Sequence, residues 1–405
     1  MNFIIFVFCF LNLYGPLSTN ITLVFNVLLF ILVGRSRIIV EKYYLIFPIT
    51  LVILSIAALF FSRDPFKDYS VIGVYARMLV NCVTFPSIIS YFYAKKTNFL
   101  DIIILSLLLH CIMVLIQMPF PELQDINGLL FRFERDQEIL ADLTLRRLGL
   151  AGGFDQSALF AIVSTVLSIE LYYLTYKRKY VVFTLISFIS SLFTSRTGMV
   201  GAVSVILVCM LLNGNGKKHT VRMAPIFIAS ILTLAIIYFI LPIILRDNGY
   251  DSSFTTSYGE NTSTYLFGIQ LSPLEYLNIR EWIMGYGCGV RKAMWLYGSS
   301  DIGYVKQIYQ VGITGILLML YFCFLMAKMT YKRYKKIKDN RIMKIGNQLM
   351  WIVIILFFVL NYKNHLLYNI CSFEIVVIVY LYLYCYYTFN GVPRLFNSRI
   401  TPTKP

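Results

Sequence analysis

The sequence predicts an all-α protein that crosses a membrane many times. Of its 405 residues, 58% are hydrophobic and only 14% are charged, whereas soluble domains have about 45–50% apolar and about 25% charged residues. Apolar runs of roughly bilayer length recur along the chain, and basic residues concentrate in alternate connections between them. These observations exclude an ordinary soluble enzyme and a disordered chain. They predict one polytopic integral membrane domain over residues 1–405.

Twelve apolar runs are candidates for transmembrane helices, since a span needs roughly 20 mostly apolar residues. They lie at 3–17, 19–34, 43–61, 71–93, 99–118, 157–175, 180–195, 198–213, 223–245, 304–327, 347–362 and 366–389. The first run has neither a basic leading region nor a small-residue cleavage site after it. We therefore expect it to be retained as a helix and not removed as a signal peptide.

The net charge of +16 follows the alternation of these spans. With the N-terminus inside, 22 of the 36 basic residues and three acidic residues fall on the inner side, whereas the outer side carries 14 basic and 15 acidic residues. This asymmetry is the positive-inside bias of membrane proteins. It predicts cytoplasmic N- and C-termini, and it explains the basic excess without nucleic acid as a partner.

Two of the outer loops are long, about 119–156 and about 246–303. Long loops often carry binding and catalytic residues. The inner connections hold no glycine-rich phosphate loop before a helix and leave no room for a catalytic domain. The sequence also lacks the paired cysteine or histidine spacing of a zinc site, so neither a metal nor a cofactor is predicted. The predicted working face is the outer one.

The first two polar clusters of that face centre on arginines. One runs from Arg146-Arg147-Leu148-Gly149 to Gly152-Gly153 at the end of the first long loop. Arginines offer a bidentate fork for phosphate, and glycines let backbone approach a ligand; the alternative is contact with lipid headgroups and a simple turn. The other is Ser195-Arg196-Thr197-Gly198, where Arg196 either binds an anion at a helix break or snorkels to the interface.

A third polar cluster occupies the second long loop. It comprises Arg280-Glu281-Trp282, the glycines Gly285, Gly287 and Gly289, then Arg291 and Asp301. The glycines have the spacing of a phosphate-binding turn, although no strand precedes them. Asp301 comes directly before a span, where burial would suit it to a general base; the alternative is a solvated helix cap.

A shorter outer connection contains the charged stretch Arg63-Asp64-Pro65-Phe66-Lys67-Asp68. Its two carboxylates could chelate a cation, because carboxylates are common ligands of hard metal ions. The flanking Arg63 and Lys67 instead favour local charge pairing within the stretch. We therefore predict no metal here.

In this order, the clusters resemble those of the Wzy-type O-antigen and capsular polysaccharide polymerases, within the larger superfamily that includes the WaaL-type O-antigen ligases. The matching parts are Arg147-Leu148-Gly149 through Gly153-Phe154-Asp155-Gln156-Ser157-Ala158, then Ser195-Arg196-Thr197-Gly198, then Arg280-Glu281-Trp282 with Gly285-Tyr286-Gly287, and Asp301-Ile302-Gly303-Tyr304 leading into Gly312-Ile313-Thr314-Gly315. The pattern of many spans with two dominant outer loops extends over the full chain.

The resemblance implies a metal-independent glycosyltransferase of the bacterial inner membrane. Such an enzyme works at the periplasmic face on undecaprenyl-pyrophosphate-linked repeat units and moves the growing chain onto the non-reducing end of a new unit. Chain length in such systems usually depends on a separate regulator protein, which would be a partner besides the bilayer. The alternative is a ligase that transfers glycan to lipid A core or to a protein. Those ligases carry a histidine where this chain has Asp301, which favours the polymerase.

The resemblance also implies roles for individual residues. The pyrophosphate would be bound by Arg147, Arg196 and Arg280 together with Arg146 and Arg291. Asp301 or Glu281 would be the general base, and the supporting loop residues would be Gly149, Gly153, Gly198, Gly287 and Tyr304. A second alternative, from another class, is a transporter or flippase of lipid-linked glycans. The nearly charge-free spans and the two long outer loops argue against it.

Overall fold

The computed structural model describes eleven stretches of the chain, and the structural features reported belong to these alone. They are residues 21–33, 43–63, 68–94, 99–120, 122–123, 147–151, 154–213, 272–288, 303–336, 341–363 and 372–390. Regular structure in these stretches is helical throughout. The all-α class predicted from the sequence is therefore confirmed for the described part.

The helices follow the predicted apolar runs. In chain order they are α1 Ile21–Val33, α2 Tyr43–Phe61, α3 Ser70–Ala94, α4 Phe99–Ile116, α5 Phe154–Thr175, α6 Lys179–Leu192, α7 Arg196–Asn213, the 3-10 helix Ser272–Tyr276, α8 Ile279–Met284, α9 Gly303–Lys336, α10 Arg341–Lys363 and α11 Ser372–Asn390. Ten of the twelve predicted spans coincide with helices of this set. The other two, 3–17 and 223–245, lie outside the described residues.

Four of the described helices are long and apolar enough to cross a membrane: Tyr44–Phe61, Ser70–Ile89, Gln156–Thr175 and Gly303–Lys336. Six further helices in the described part contain apolar stretches of 10 to 17 residues. Large apolar side chains also remain exposed along α2, including Ile46, Ile53 and Phe60. An exposed apolar face of this extent is typical of contact with lipid. The chain thus has the helices of a multi-pass membrane protein.

Short connections make neighbouring helices antiparallel, because a few residues allow the chain only to turn back. Three residues join α5 to α6, and three join α6 to α7. The helix ends therefore collect at two faces of the bundle. We call one of them the outer face; it contains residues 61–63, 116–120, 147–151, 192–196 and 272–288. The sequence predicts that this face is periplasmic.

Helix α5 is the most enclosed of the four long helices, since 89% of its most apolar 18-residue stretch is buried. It packs against α4, α6, α7 and α10. Its contact with α6 is partly polar, since the hydroxyls of Ser164 and Ser187 lie 2.7 Å apart. Because α5 begins at the outer face, the residues around it there are held by four neighbouring helices.

Candidate functional site

The arginine turn, residues 147–151, is fixed to the end of α4 by Gln117. The Gly149 N–H donates to Oε1 of Gln117 at 2.8 Å, and Nε2 of Gln117 donates to the Gly149 carbonyl at 3.2 Å. Nε of Arg147 donates to the Gln117 main-chain carbonyl at 2.8 Å. Gln117 is fully buried, and Arg147 is only 7% exposed. A guanidinium group is therefore held inside the outer end of the bundle.

His110 lies on α4, seven residues before Gln117, and it also bonds to the arginine turn. Its Nδ1 accepts the Leu150 N–H at 3.0 Å, so the ring proton is carried by Nε2. Nε2 lies 3.3 Å from the carbonyl oxygen of Ser157 and 3.2 Å from its hydroxyl oxygen. Gly149 passes so close over this ring, at φ +58°, that a Cβ would lie 2.7 Å from Cε1 of His110. The turn requires a glycine at that position.

The fold brings Arg147 and the start of α7 together. The Arg147 N–H donates to the Phe193 carbonyl at 2.7 Å, in the short connection that leads to Arg196 at the first position of α7. Ser195 caps this helix by accepting the Gly198 N–H at 3.0 Å. A Cβ on Gly198 would lie 2.9 Å from Cβ of Ala158, so the glycine lets α7 approach α5. Two of the three predicted clusters are therefore neighbours.

The third cluster lies on another group of helices. Residues 272–288, which we call the outer segment, contain α8 and pack against α2 and α9. Arg280 is exposed, and its guanidinium carbon lies 3.9 Å from the centroid of the Phe61 ring at the end of α2. The structure thus places Arg280 at the outer face beside α2, whereas Arg147 lies among α4, α5, α6 and α7.

Glu281 is occupied by structural bonds. Its two carboxylate oxygens accept from Nε and Nη2 of Arg63, both at 2.6 Å. One of those oxygens also accepts the Asn278 N–H at 3.0 Å, while Oδ1 of Asn278 accepts the Glu281 N–H at 2.9 Å. This reciprocal arrangement is a capping box at the start of α8. The geometry favours a positioning role for Glu281 and leaves Asp301 as the predicted base.

Arg63 forms an ion pair with Glu281, which lies 218 residues away in sequence. Asp68 accepts the Ser70 N–H at 3.0 Å, at the start of α3. The local charge pairing expected within 63–68 stays a prediction, because Asp64 and Lys67 lie outside the described residues. The distant partner was not predictable from the sequence, since a buried carboxylate such as Glu281 needs a cation from wherever the fold supplies one.

The phosphate-turn interpretation stays a prediction for Gly289, which lies outside the described residues, whereas the described part of the turn bonds within the fold. The N–H groups of Tyr286 and Gly287 both donate to the Tyr309 carbonyl, at 2.9 and 3.0 Å. A Cβ on Gly287, at φ +73°, would lie 2.7 Å from the backbone of Ala58. These glycines therefore let backbone approach backbone, and the two N–H groups already have an acceptor.

The remaining predicted site residues divide into three groups. Tyr304 is half-buried and donates its hydroxyl to the Phe358 carbonyl at 2.7 Å, which ties the start of α9 to α10. The backbone of Arg196 is described, but its side chain is not. Outside the described residues lie Arg146, Gly153, Arg291 and Asp301.

Sequence reasoning missed His110, Gln117 and Arg63. A usable signal existed for the first two, because polar residues seven apart in an apolar run lie on one face of a helix. For Arg63 the signal was its position at the outer end of a span, where the positive-inside bias disfavours arginine. Among the described residues, no three His, Cys, Asp or Glu side chains gather as a metal site would need.

Comparison of the chain with protein-family models, with curated proteins and with solved structures found no match. Function is therefore inferred from the geometry of the outer face. This face provides a buried arginine beside the start of α7, and a second arginine cluster where α8 meets α2.

Replacing Gln117 with leucine is expected to destabilise the arginine turn. The change keeps the volume but leaves the N–H and the carbonyl of Gly149 buried without these partners, which costs about 2–4 kcal/mol. Thermal unfolding of the detergent-solubilised protein measures the effect. Thr50→Val is the control, because Thr50 bonds only to a carbonyl one turn back in α2 and should change stability by less than about 0.5 kcal/mol. Equal melting of the two variants would contradict the assignment.

Proposed function

We propose that the chain is a membrane-embedded glycosyltransferase that polymerises lipid-pyrophosphate-linked glycan repeat units at the outer face. The observation that carries the proposal is the position of Arg147. It is buried at the outer end of the bundle, and its backbone is bonded to the connection that leads into Arg196. This bond supports the proposal because it joins the backbone segments that carry two of the arginines the resemblance assigns to the pyrophosphate.

A buried guanidinium favours an anionic ligand over a neutral one, because an anion offsets the cost of removing its charge from water. The first turn of α7 adds the positive end of the helix dipole. A pyrophosphate suits this site for two reasons. It is already an anion when bound, and its negative charge increases as it leaves. Positive groups that are already in place would stabilise that developing charge.

The proposed reaction is a single displacement at the anomeric carbon of the donor. A hydroxyl oxygen at the non-reducing end of the new unit forms a bond to that carbon, and the bond between the carbon and the pyrophosphate oxygen breaks. The hydroxyl proton passes to Asp301 as general base. The leaving group is undecaprenyl pyrophosphate, whose binding the resemblance assigns to Arg147, Arg196 and Arg280. No metal is required, because the arginines supply the positive charge.

The membrane setting of the proposal is the bacterial inner membrane, with the outer face towards the periplasm. Its support is the distribution of basic residues. Lys177, Arg178 and Lys179 lie at the α5–α6 connection, and Lys335 and Lys336 at the end of α9, all at the face opposite to the arginine turn. A polymerase that works at the outer face needs no nucleotide sugar, because its donor arrives already activated on the lipid.

The deciding experiment uses purified protein in liposomes with a radiolabelled lipid-linked repeat unit as the only substrate. We expect a ladder of longer glycans with release of undecaprenyl pyrophosphate, unchanged by a metal chelator. A ligase would give product only after addition of lipid A core or an acceptor protein. A transporter would move the labelled lipid and leave its length unchanged. Either of these results would overturn the proposal.

A further inference from the structure

Helix α9 is broken at Gly312. This residue has φ +68° and ψ −179°, an extended conformation inside the helix. Nε2 of Gln307 lies only 3.9 Å from Sδ of Met319, although a straight helix would separate residues twelve positions apart by about 18 Å along its axis. The part 303–311 therefore turns sharply against the rest of α9. The predicted span 304–327 lies within this helix, which departs from regular helical geometry at Gly312.

The outer segment fills this break. Thr314, just after the break, donates its hydroxyl to the Ile283 carbonyl at 2.7 Å. Just before the break, the Tyr309 carbonyl accepts hydrogen bonds from the N–H groups of Tyr286 and Gly287. Tyr286 and Cys288 are buried against Ile308 and Tyr309 in a small apolar cluster of their own. Both sides of the break thus hold the outer segment.

The break of α9 is the seat of the outer segment, and Arg63 links that segment to the end of α2 through an ion pair. Its side chain is 58% exposed, whereas that of Glu281 is 4% exposed, so a buried carboxylate relies on a cation at the surface. Two parallel bonds of 2.6 Å make the pair directional as well as attractive. Next to it, Arg280 packs on Phe61. The end of α2 therefore contacts two consecutive residues of α8, Arg280 through Phe61 and Glu281 through Arg63.

We propose that Arg63 is a positioning residue of the outer site. Through Glu281 it keeps the outer segment seated in the break of α9, and so it sets where Arg280 lies. The role in catalysis rests on the proposed function, whereas the seating of the segment does not.

Cys288 provides a native reporter, because it is only 1% exposed and belongs to the seated segment. The experiment measures its modification by a membrane-impermeant maleimide in spheroplasts, with mass spectrometry to assign the modified cysteine. Arg63→Ala and Glu281→Gln each remove one partner of the pair. In both variants we expect the maleimide to modify Cys288 roughly 100-fold faster than in the wild type. Arg63→Lys, which keeps the charge but not the fork, should give an intermediate rate.

The matched control is Glu275→Gln, an exposed carboxylate in the same segment, which should leave the labelling rate unchanged. Cys288→Ser should abolish the signal. Rates for Arg63→Ala and Glu281→Gln within twofold of the wild type would overturn the inference, and so would a lysine variant equal to the alanine variant. An equal gain at Cys209, buried in α7, would also overturn it, because the pair would then support the whole fold.

The labelling needs no substrate, so its outcome is independent of the polymerisation assay. Unchanged reactivity of Cys288 overturns the role of Arg63 whether or not polymer forms. Absence of polymer from the wild-type protein overturns the proposed function whether or not Cys288 is protected.

Discussion

Replacing Gly312 with alanine is expected to destabilise the protein by about 3–5 kcal/mol, the sum of a strained backbone and an overpacked contact. The backbone angles of Gly312 lie in a region that is almost restricted to glycine. An added Cβ would also collide with the carbonyl oxygen and carbon of Ile283. Backbone cannot move aside as a flexible side chain can, so the outer segment must leave its seat.

The matched control for this prediction is Gly73→Ala. Gly73 lies in α3, where an added Cβ would meet nothing within 4 Å, so alanine should stabilise the helix by about 0.5–1 kcal/mol. Thermal unfolding in detergent, followed by loss of the monodisperse peak in size-exclusion chromatography, compares the two variants. If Gly312→Ala melts at the wild-type temperature, the break in α9 is not a fixed feature of the fold.

Arg147→Ala is expected to reduce polymerisation about 100- to 1000-fold, as for the loss of one preorganised charge-stabilising group. Cells that depend on the variant should display single-repeat glycans in place of a ladder on a glycan gel. The reason is that Arg147 is held by two bonds, one from its Nε to the Gln117 carbonyl and one from its N–H to the Phe193 carbonyl. Arg147→Lys should give shortened ladders, because it keeps the charge without the planar fork.

Two comparators separate chemistry from folding in this experiment. Arg178→Ala removes an exposed arginine at the opposite face, and full-length ladders are expected. Gln117→Leu weakens the same turn while it leaves Arg147 in place, so it should lose less activity than Arg147→Ala at equal protein level. Full-length ladders from Arg147→Ala would show that this arginine does not hold the leaving group.

The helices were predictable because an apolar run of sufficient length carries its own signal. A span such as 157–175 needs no knowledge of its neighbours, and α5 follows it closely. The break at Gly312 was not predictable in the same way. Gly312-Ile313-Thr314-Gly315 lies within an apolar run that a straight helix would also accommodate. Only the approach of Ile283, from a distant part of the sequence, requires the chain to open there.

The candidate site was predictable in its residue types and less so in its partners. The positions of Arg147 and Arg196 at the ends of apolar runs indicated the outer face, and the bond between the arginine turn and Phe193 joins their segments. Glu281 illustrates the limit. The resemblance implied that it could be a general base, whereas its burial and its pairing with Arg63 depend on how α2 ends.

The enclosure of α5 has a consequence for how the chain is assembled. A helix surrounded by four others has little surface left for lipid, so it can hold polar groups that would be costly to insert in a lipid-exposed helix. Ser164, Thr165, Ser168 and Glu170 are all buried in it. Such a helix gains its stability only as its neighbours arrive. The order of synthesis fits this need, because α6 follows α5 after three residues and presents Ser187 to Ser164. The two would enter the bilayer as a hairpin, and the later helices α7 and α10 would then pack against α5.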